Sequence, residues 1–232
     1  MRFAPFIISV LLATLASTSQ ATTVKVVTDT SIVDTIPGLT GFTTNGAQMS
    51  GLEVTATFSS GFAQTLAWAT TGTQSGGVTG NGWGLSTSGD TFSSLFNFTI
   101  AAGRGQLLGL VLNAAGAKQI TLFDTTFGGL EGTPNSASGR TFAIASGCTS
   151  CNVVATYSNT VALPGKAAAG DLFHLLSLSF INGTGPSTAF AFRQDIDNDS
   201  RLTTGFVPEP GALSLLALGL LALGCATRRR VR

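Results

Sequence analysis

The sequence predicts an all-β fold, an antiparallel β-sandwich or jelly roll, with an N-terminal signal peptide and a C-terminal single transmembrane helix. Apolar and polar residues alternate in many short stretches between residues 22 and 206, and Gly-rich turn sequences separate these stretches. No helical pattern interrupts them. About ten short strands without crossover helices favour two packed antiparallel sheets.

The first 21 residues predict a signal peptide. Arg2 supplies the charged start, residues 7–15 are apolar, and Ser19 and Ala21 are small residues at positions −3 and −1 of a cleavage site. The apolar run is too short to span a bilayer as a mature helix. We therefore expect signal peptidase to cut after Ala21.

Alternation with a period of two predicts the strands of residues 22–206 in chain order. The predicted strands are 24–28, 52–58, 65–68, 96–100, 107–112, 119–124, 141–145, 152–157, 176–180 and 190–193. Gly-rich sequences at 75–77, 80–82 and 182–185 predict turns between them.

The C-terminal residues predict one membrane-spanning helix. Residues 211–227 carry no charge, and these 17 residues span about 25 Å as a helix, close to a bilayer core of about 30 Å. Pro208 and Pro210 precede the segment and prevent an upstream helix. Arg228, Arg229 and Arg230 follow it, and basic residues stay on the cytoplasmic side. The chain before Val207 is therefore expected to lie outside.

This tail resembles the PEP-CTERM sorting signal of Gram-negative bacteria. The resemblance rests on Val207-Pro208-Glu209-Pro210, the apolar segment and the arginine cluster Arg228–Arg230, in that order. It implies that the protein is held in the inner membrane until an exosortase cuts near the motif, and then reaches the cell surface or the extracellular space. The tail would be removed, as in lipid-anchor signals.

The resemblance divides the chain into a signal peptide at 1–21, an exported β-sandwich domain at 22–206 and a sorting signal at 207–232. The domain itself is similar to a recurrent type of PEP-CTERM ectodomain. That similarity lies in residues 46–51 and 54–58, in Gly82-Trp83, and in residues 88–92 and 190–195. It implies the fold class and says nothing about activity.

Composition excludes nucleic acid as a partner. Residues 22–206 contain seven basic and ten acidic side chains, a net charge of −3. A mildly acidic domain has no electrostatic attraction for phosphate backbones.

Cys148 and Cys151 predict a local disulfide that closes a turn, because the exported domain would fold in an oxidising compartment. A redox-active pair is the alternative, but a β-like run follows the cysteines where a helix N-terminus would be needed. A structural zinc site would need four ligands, and the chain has too few cysteines and histidines.

The aspartates Asp195, Asp197 and Asp199 suggest a calcium site, because calcium prefers several hard oxygen ligands. The spacing resembles the start of a calcium loop, which then fails because Ser200 stands where glycine is expected. A second ligand source is required, and Asp171 or a backbone carbonyl is a candidate. The alternative is a solvated acidic turn.

Trp83, between two glycines, is the candidate for stacking on a sugar ring, whereas Trp68 alternates with core positions. His174 is the only histidine, so a triad-type hydrolase would have to use it. His174 occupies the same alternate positions of its strand as Leu176 and Leu178, which instead predicts a structural histidine on the core face.

These features favour an exported surface or extracellular-matrix protein with a structural or adhesive role in an exopolysaccharide or biofilm setting. The alternative is a carbohydrate- or calcium-binding β-sandwich module. We expect no enzymatic activity and no cofactor apart from calcium. The expected partners are exosortase and signal peptidase during processing, the inner membrane transiently, and exopolysaccharide.

Overall fold

A computed structural model describes residues 21–39, 41, 43–125, 139–165 and 167–199. Within these ranges the fold is all-β, and two sheets pack around a shared apolar core. The predicted all-β class is therefore confirmed. The strands are β1 Thr23–Thr28, β2 Val33–Thr35, β3 Glu53–Phe58, β4 Ala63–Ala67, β5 Ala69–Thr70, β6 Ser75–Gly80, β7 Trp83–Ser88, β8 Phe96–Ile100, β9 Leu107–Asn113, β10 Ile120–Asp124, β11 Ala143–Ser146, β12 Asn152–Ala162, β13 Leu172–Phe180, β14 Phe190–Arg193 and β15 Asp195–Asp199.

The first sheet has the strand order β1-β12-β13-β9-β3-β4. β2 also pairs with β12, and β10 pairs with both β13 and β15. The second sheet has the order β11-β14-β8-β7-β6-β5. β13 and β9 lie at the centre of the six-strand order of the first sheet, and β8 and β14 carry the aromatic face of the second.

The sequence predicts antiparallel sheets, but two of the strand pairs are parallel. β1 and β2 both run parallel to β12, with Thr23 opposite Asn152 and Val33 opposite Thr160. The 11 residues of β12 are enough for both short strands to pair along it in turn. Alternation of polar and apolar residues carries no information about strand direction, so this departure could not be seen in the sequence.

Aromatic rings from the second sheet fill the middle of the core. The ring centroids of Phe96 and Phe192 lie 5.1 Å apart, those of Phe98 and Phe190 lie 5.4 Å apart, and both pairs join β8 to β14. Offset and tilted ring pairs of this kind stabilise a core beyond the area that they bury. Trp68 is buried as expected, and its Nε1 donates to the Gly46 carbonyl at 2.7 Å.

Residues 75–77 lie inside β6 and not in a turn, contrary to the prediction. A Cβ at Gly76 would lie 2.1 Å from the Gly46 carbonyl oxygen and 2.2 Å from Trp68 Nε1. Glycine is therefore present because another backbone approaches closely. The predicted turn at 80–82 does join β6 to β7, and Gly82 has a φ of +75° there.

The predicted disulfide between Cys148 and Cys151 is present in the loop between β11 and β12. This loop also holds the start of β1. The Thr22 hydroxyl donates to the Cys148 carbonyl, and the Thr23 N–H donates to the Cys151 carbonyl at 2.8 Å. The disulfide loop therefore fixes the first residues that follow the predicted signal cleavage site.

No helix in the described part of the chain is long and apolar enough to cross a membrane. Residues 1–20 of the predicted signal peptide and the whole predicted sorting tail, 207–232, lie outside the described residues.

Tyr157→Phe should lower the free energy of unfolding by about 2–4 kcal/mol, because it would orphan two buried polar groups. The Tyr157 hydroxyl accepts from the Phe142 N–H at 2.6 Å and donates to Gln194 Oε1. Urea unfolding of the purified protein measures the change.

Thr65→Val is the matched control, because it also removes one hydroxyl that pairs with another side chain, Thr55, but on the exposed surface. We expect it to change stability by less than about 0.5 kcal/mol. Equal effects of the two substitutions would contradict the importance of the Tyr157 contacts.

Candidate functional site

Three buried aspartates meet where β10 pairs with β15. Asp124 lies directly opposite Asp195 in this antiparallel pair, and Asp197 follows two residues later on the same face of β15. One carboxylate oxygen from each residue lies within 4.8 Å of the other two. The exposed fractions of Asp124, Asp195 and Asp197 are 0%, 3% and 1%. We call these three residues the aspartate cluster.

The cluster lies where the chain changes sheets. β14 belongs to the second sheet and β15 to the first, and Gln194 is the single residue between them. The backbone of Arg140 connects β15 to β10, because the Asp195 N–H donates to the Arg140 carbonyl at 3.2 Å and the Arg140 N–H donates to the Asp124 carbonyl at 3.1 Å. Backbone hydrogen bonds on two strands therefore fix the positions of Asp124 and Asp195.

Gly139 has to be glycine for the Asp124 side chain to occupy its position. A Cβ at residue 139 would lie 2.4 Å from Asp124 Oδ1, far inside van der Waals contact. The chain thus leaves space for this carboxylate beside the backbone.

Thr91, from the connection between β7 and β8, orients the carboxylate of Asp195. Its hydroxyl donates to Asp195 Oδ1 at 3.1 Å, and the Ile196 N–H donates to the same oxygen at 2.9 Å. Thr91 is 0% exposed. The second sheet therefore contributes a polar contact to a cluster that belongs to the first.

Asp197 differs from Asp195, because no N–H or O–H donor among the described residues reaches its carboxylate oxygens. Its side chain contacts the carboxyl group of Asp124, and two carboxyl groups hydrogen-bond only when they share a proton. A buried ionised carboxylate without partners is strongly destabilising, so it must take up a proton or meet a cation.

Within the described ranges no lysine or arginine forms a salt bridge with Asp195 or Asp197. The nearby Arg140 instead places its guanidinium over the Phe92 ring, 4.2 Å from the ring centroid.

Burial raises the pKa of Asp195 to about 7, and repulsion from Asp124 adds to the effect. Burial raises the pKa of Asp197 to about 9, with further repulsion from Asp124 and Asp195. Both shifts have the same physical origin, since water is excluded and like charges are close.

The sequence prediction for this region was partly wrong. Residues 195–199 form a buried strand and not an acidic turn or loop. Asp199 lies opposite Ile120 and is outside the cluster of three. The proposed additional ligand Asp171 is also outside it, and its carbonyl accepts from the N–H and hydroxyl of Thr125.

Sequence reasoning missed Asp124 as a member of the cluster. The alternation of residues 119–124 did predict its strand, and Asp124 ends that strand. Nothing in the local pattern indicated that β10 would pair with β15. The contact joins residues about 70 positions apart along the chain, beyond the reach of periodicity.

Trp83 is not an exposed sugar-stacking platform, and this prediction was wrong. The side chain is 3% exposed, its Nε1 donates to Gln64 Oε1 at 2.9 Å, and its ring stacks on Phe98 with centroids 5.7 Å apart. The flanking glycines do not leave the indole open, because β7 turns this side chain towards the core.

His174 is mostly buried, with a side chain 13% exposed, and burial lowers its pKa. Its Nε2 lies 4.0 Å from Asp34 Oδ2. A triad would need a nucleophile in hydrogen-bond reach of the imidazole, and no described serine, threonine or cysteine makes such a bond to His174.

An open cleft of about 400 Å³ lies between the start of β1 and β11. Thr22, Val24 and residues 142–149 line it, and none of these residues is charged. Ligand sites usually combine an apolar wall with a few convergent polar groups. The aspartate cluster, in which three polar groups converge in a buried position, is therefore the stronger candidate site.

With divalent cations removed by a chelator, the protein should lose stability as the pH rises from 5 to 8. The folded state keeps protons on Asp195 and Asp197, with pKa values of about 7 and about 9, whereas the unfolded chain releases them above the ordinary value of 3.8. The stabilisation is complete below pH 3.8 and is lost as the pH rises through the folded values. We expect the melting temperature to fall by at least about 10 °C.

Asp197→Asn should flatten this dependence, because an amide does not titrate. His174 has a lowered pKa and acts in the opposite direction near its ordinary value of 6.5, so the difference between wild type and variant isolates the aspartate. Identical slopes for both proteins would show that Asp197 does not titrate in this way.

The comparisons with known proteins concern the C-terminal tail. No curated protein and no solved structure matches the chain. A family model described as the PEP-CTERM protein-sorting motif matches residues 206–230, which include the Pro-Glu-Pro sequence and Arg228–Arg230. The motif implies export, processing by an exosortase at the membrane and delivery to the surface. At residues 206–230 the chain carries the C-terminal sorting signal of exosortase substrates.

Proposed function

We propose that the β-sandwich is a structural or adhesive component of the cell surface or extracellular matrix, in an exopolysaccharide or biofilm setting. The observation that carries this proposal is the sorting motif at residues 206–230, which follows the sandwich directly. Proteins with this signal are delivered to the surface, so the domain would act there.

The spacing between domain and motif supports processing of a folded domain close to the membrane. β15 ends at Asp199, and six residues, 200–205, separate it from the matched motif. Six residues span at most about 20 Å. An exosortase that cuts near Pro208 would therefore work beside the folded sandwich.

The N-terminal side supports release by signal peptidase after Ala21. Ala21 is exposed and outside any strand, and β1 begins two residues later at Thr23. The Thr22 hydroxyl is already in contact with the disulfide loop. Cleavage at this position would remove the leader without disturbing a strand.

A surface role also fits the physical character of the domain. Its core contains a continuous series of aromatic rings in stacked and tilted contacts, and its one described disulfide suits an oxidising compartment. The carbohydrate-binding alternative has lost its aromatic candidate, because Trp83 is buried. The uncharged cleft between β1 and β11 remains the place where a neutral polymer such as an exopolysaccharide would be sought.

Pro208→Ala combined with Pro210→Ala should block processing of the tail. We expect the variant to accumulate in the membrane fraction with an intact tail, whereas the wild type appears at the surface with residues near 208 as its C-terminus. Cell fractionation with intact-mass analysis measures both, and the same spectra report whether the chain begins at Thr22.

Pro164→Ala is the matched control, because it makes the same change in the connection between β12 and β13. It should be processed like the wild type. The sorting step would be contradicted if the double variant reached the surface with normal processing.

The matrix role is tested separately from sorting. Cells without the protein should form a matrix that retains less exopolysaccharide, and the wild-type gene should restore it, whereas the double proline variant should not. A matrix of unchanged composition and cohesion in cells without the protein would contradict the proposed role and leave the sorting result unaffected.

A further inference from the structure

We propose that Asp124, Asp195 and Asp197 together bind one calcium ion inside the β-sandwich. This inference is independent of the matrix role, because it concerns what holds the domain together and not where the domain acts.

The spacing of the three carboxylates suits a single ion. Calcium binds oxygen ligands at about 2.3–2.6 Å, so two oxygens that share one ion lie at most about 5 Å apart. Oxygens of Asp124, Asp195 and Asp197 all lie within 4.8 Å of one another. One calcium ion can therefore contact all three carboxylates with little movement of the strands.

An independent observation comes from the environment of Asp197. The residue is 1% exposed, and no N–H or O–H donor among the described residues reaches either of its oxygens. Its side-chain contact with Asp124 joins two carboxyl groups, which can hydrogen-bond only by sharing a proton. Its side chain is directed into the cluster and not towards solvent. Buried polar atoms are nearly always satisfied by protein, water or an ion, and an ion would satisfy these two oxygens.

The hydrogen bonds of Asp195 favour its ionised form, and they partly offset the effect of burial. Its Oδ1 accepts from the Thr91 hydroxyl and from the Ile196 N–H. Two donors directed at one oxygen stabilise an ionised carboxylate. An ionised Asp195 beside Asp124 and Asp197 repels their negative charges, and a divalent cation is the group that relieves this repulsion.

The ligand chemistry points to calcium among the divalent cations. All three side chains provide hard oxygen atoms, and no histidine or cysteine belongs to the cluster, which disfavours zinc and copper. Calcium tolerates irregular geometry and accepts six to eight oxygens, whereas magnesium requires a near-ideal octahedron. Water molecules would complete the shell, as they do in other calcium sites.

The ion would connect the strands that carry the chain between the sheets. Asp124 ends β10, Asp195 and Asp197 lie on β15, and Thr91 reaches them from the second sheet. Binding should therefore stabilise the whole domain and not one loop.

The test uses the full chain purified in detergent and freed of divalent cations with a chelator. Added calcium should bind at one ion per chain in equilibrium dialysis. It should also raise the melting temperature by about 5–10 °C when present at 100 times its dissociation constant. Magnesium at the same concentration should give a smaller rise.

Asp197→Asn distinguishes a ligand from a residue needed only for folding. In chelator the variant should melt at the same or a higher temperature than the wild type, because an amide needs no proton when it is buried and keeps the shape of the side chain. In calcium it should show no rise. Asp34→Asn is the matched control, since Asp34 is 53% exposed and lies outside the cluster, and it should respond to calcium like the wild type.

Three results would overturn the proposal. The first is no bound calcium and no thermal shift at millimolar calcium, which would leave protons as the neutralising species. The second is calcium binding that persists unchanged in Asp197→Asn, which would place the ion elsewhere. The third is an equal response to magnesium, which would remove the assignment to calcium.

Discussion

The structure depends on how it neutralises three carboxylates that are packed side by side in its interior. Asp124, Asp195 and Asp197 are each at most 3% exposed, and neighbouring strands hold them against each other. Removing such charges from water costs several kcal/mol per ion unless protons or a cation compensate. The stability of the pairing between β10 and β15 therefore depends on how completely protons or a cation neutralise these carboxylates.

This pairing matters because the chain crosses between the two sheets at the same place. Gln194 separates β14 of the second sheet from β15 of the first, and the Tyr157 hydroxyl holds its side chain from within the first sheet. Thr91 adds a contact from the second sheet. Buried hydrogen bonds surround the crossing, whereas packed aromatic rings hold the rest of the interface. A buried polar network specifies one arrangement of a core when its members are satisfied, and here the carboxylate of Asp197 requires a proton or a cation for that.

Local pattern predicted much of the fold and little of the site. Alternation located strands such as β3, β8 and β13, because each buries one face against the core. It failed at Gly76, where glycine serves a close backbone approach, and at residues 195–199, where acidic residues suggested a turn. A buried strand that contains several aspartates has the sequence of a solvated segment, and the two cannot be distinguished when the partner strand is unknown. Asp124 was missed because its distance from Asp195 is a property of the tertiary fold.

The sorting signal concerns the delivery of the protein, and the aspartate cluster concerns the stability of the domain that is delivered. The tail directs the chain to the membrane and surface, and a cation-filled cluster would stabilise the domain that is delivered. X-ray diffraction from crystals grown with calcium, recorded to reveal its anomalous scattering, tests the central claim most directly. The account predicts one anomalous peak about 2.3–2.6 Å from oxygens of Asp124, Asp195 and Asp197. Carboxyl groups in direct hydrogen-bond contact, without a peak between them, would contradict it.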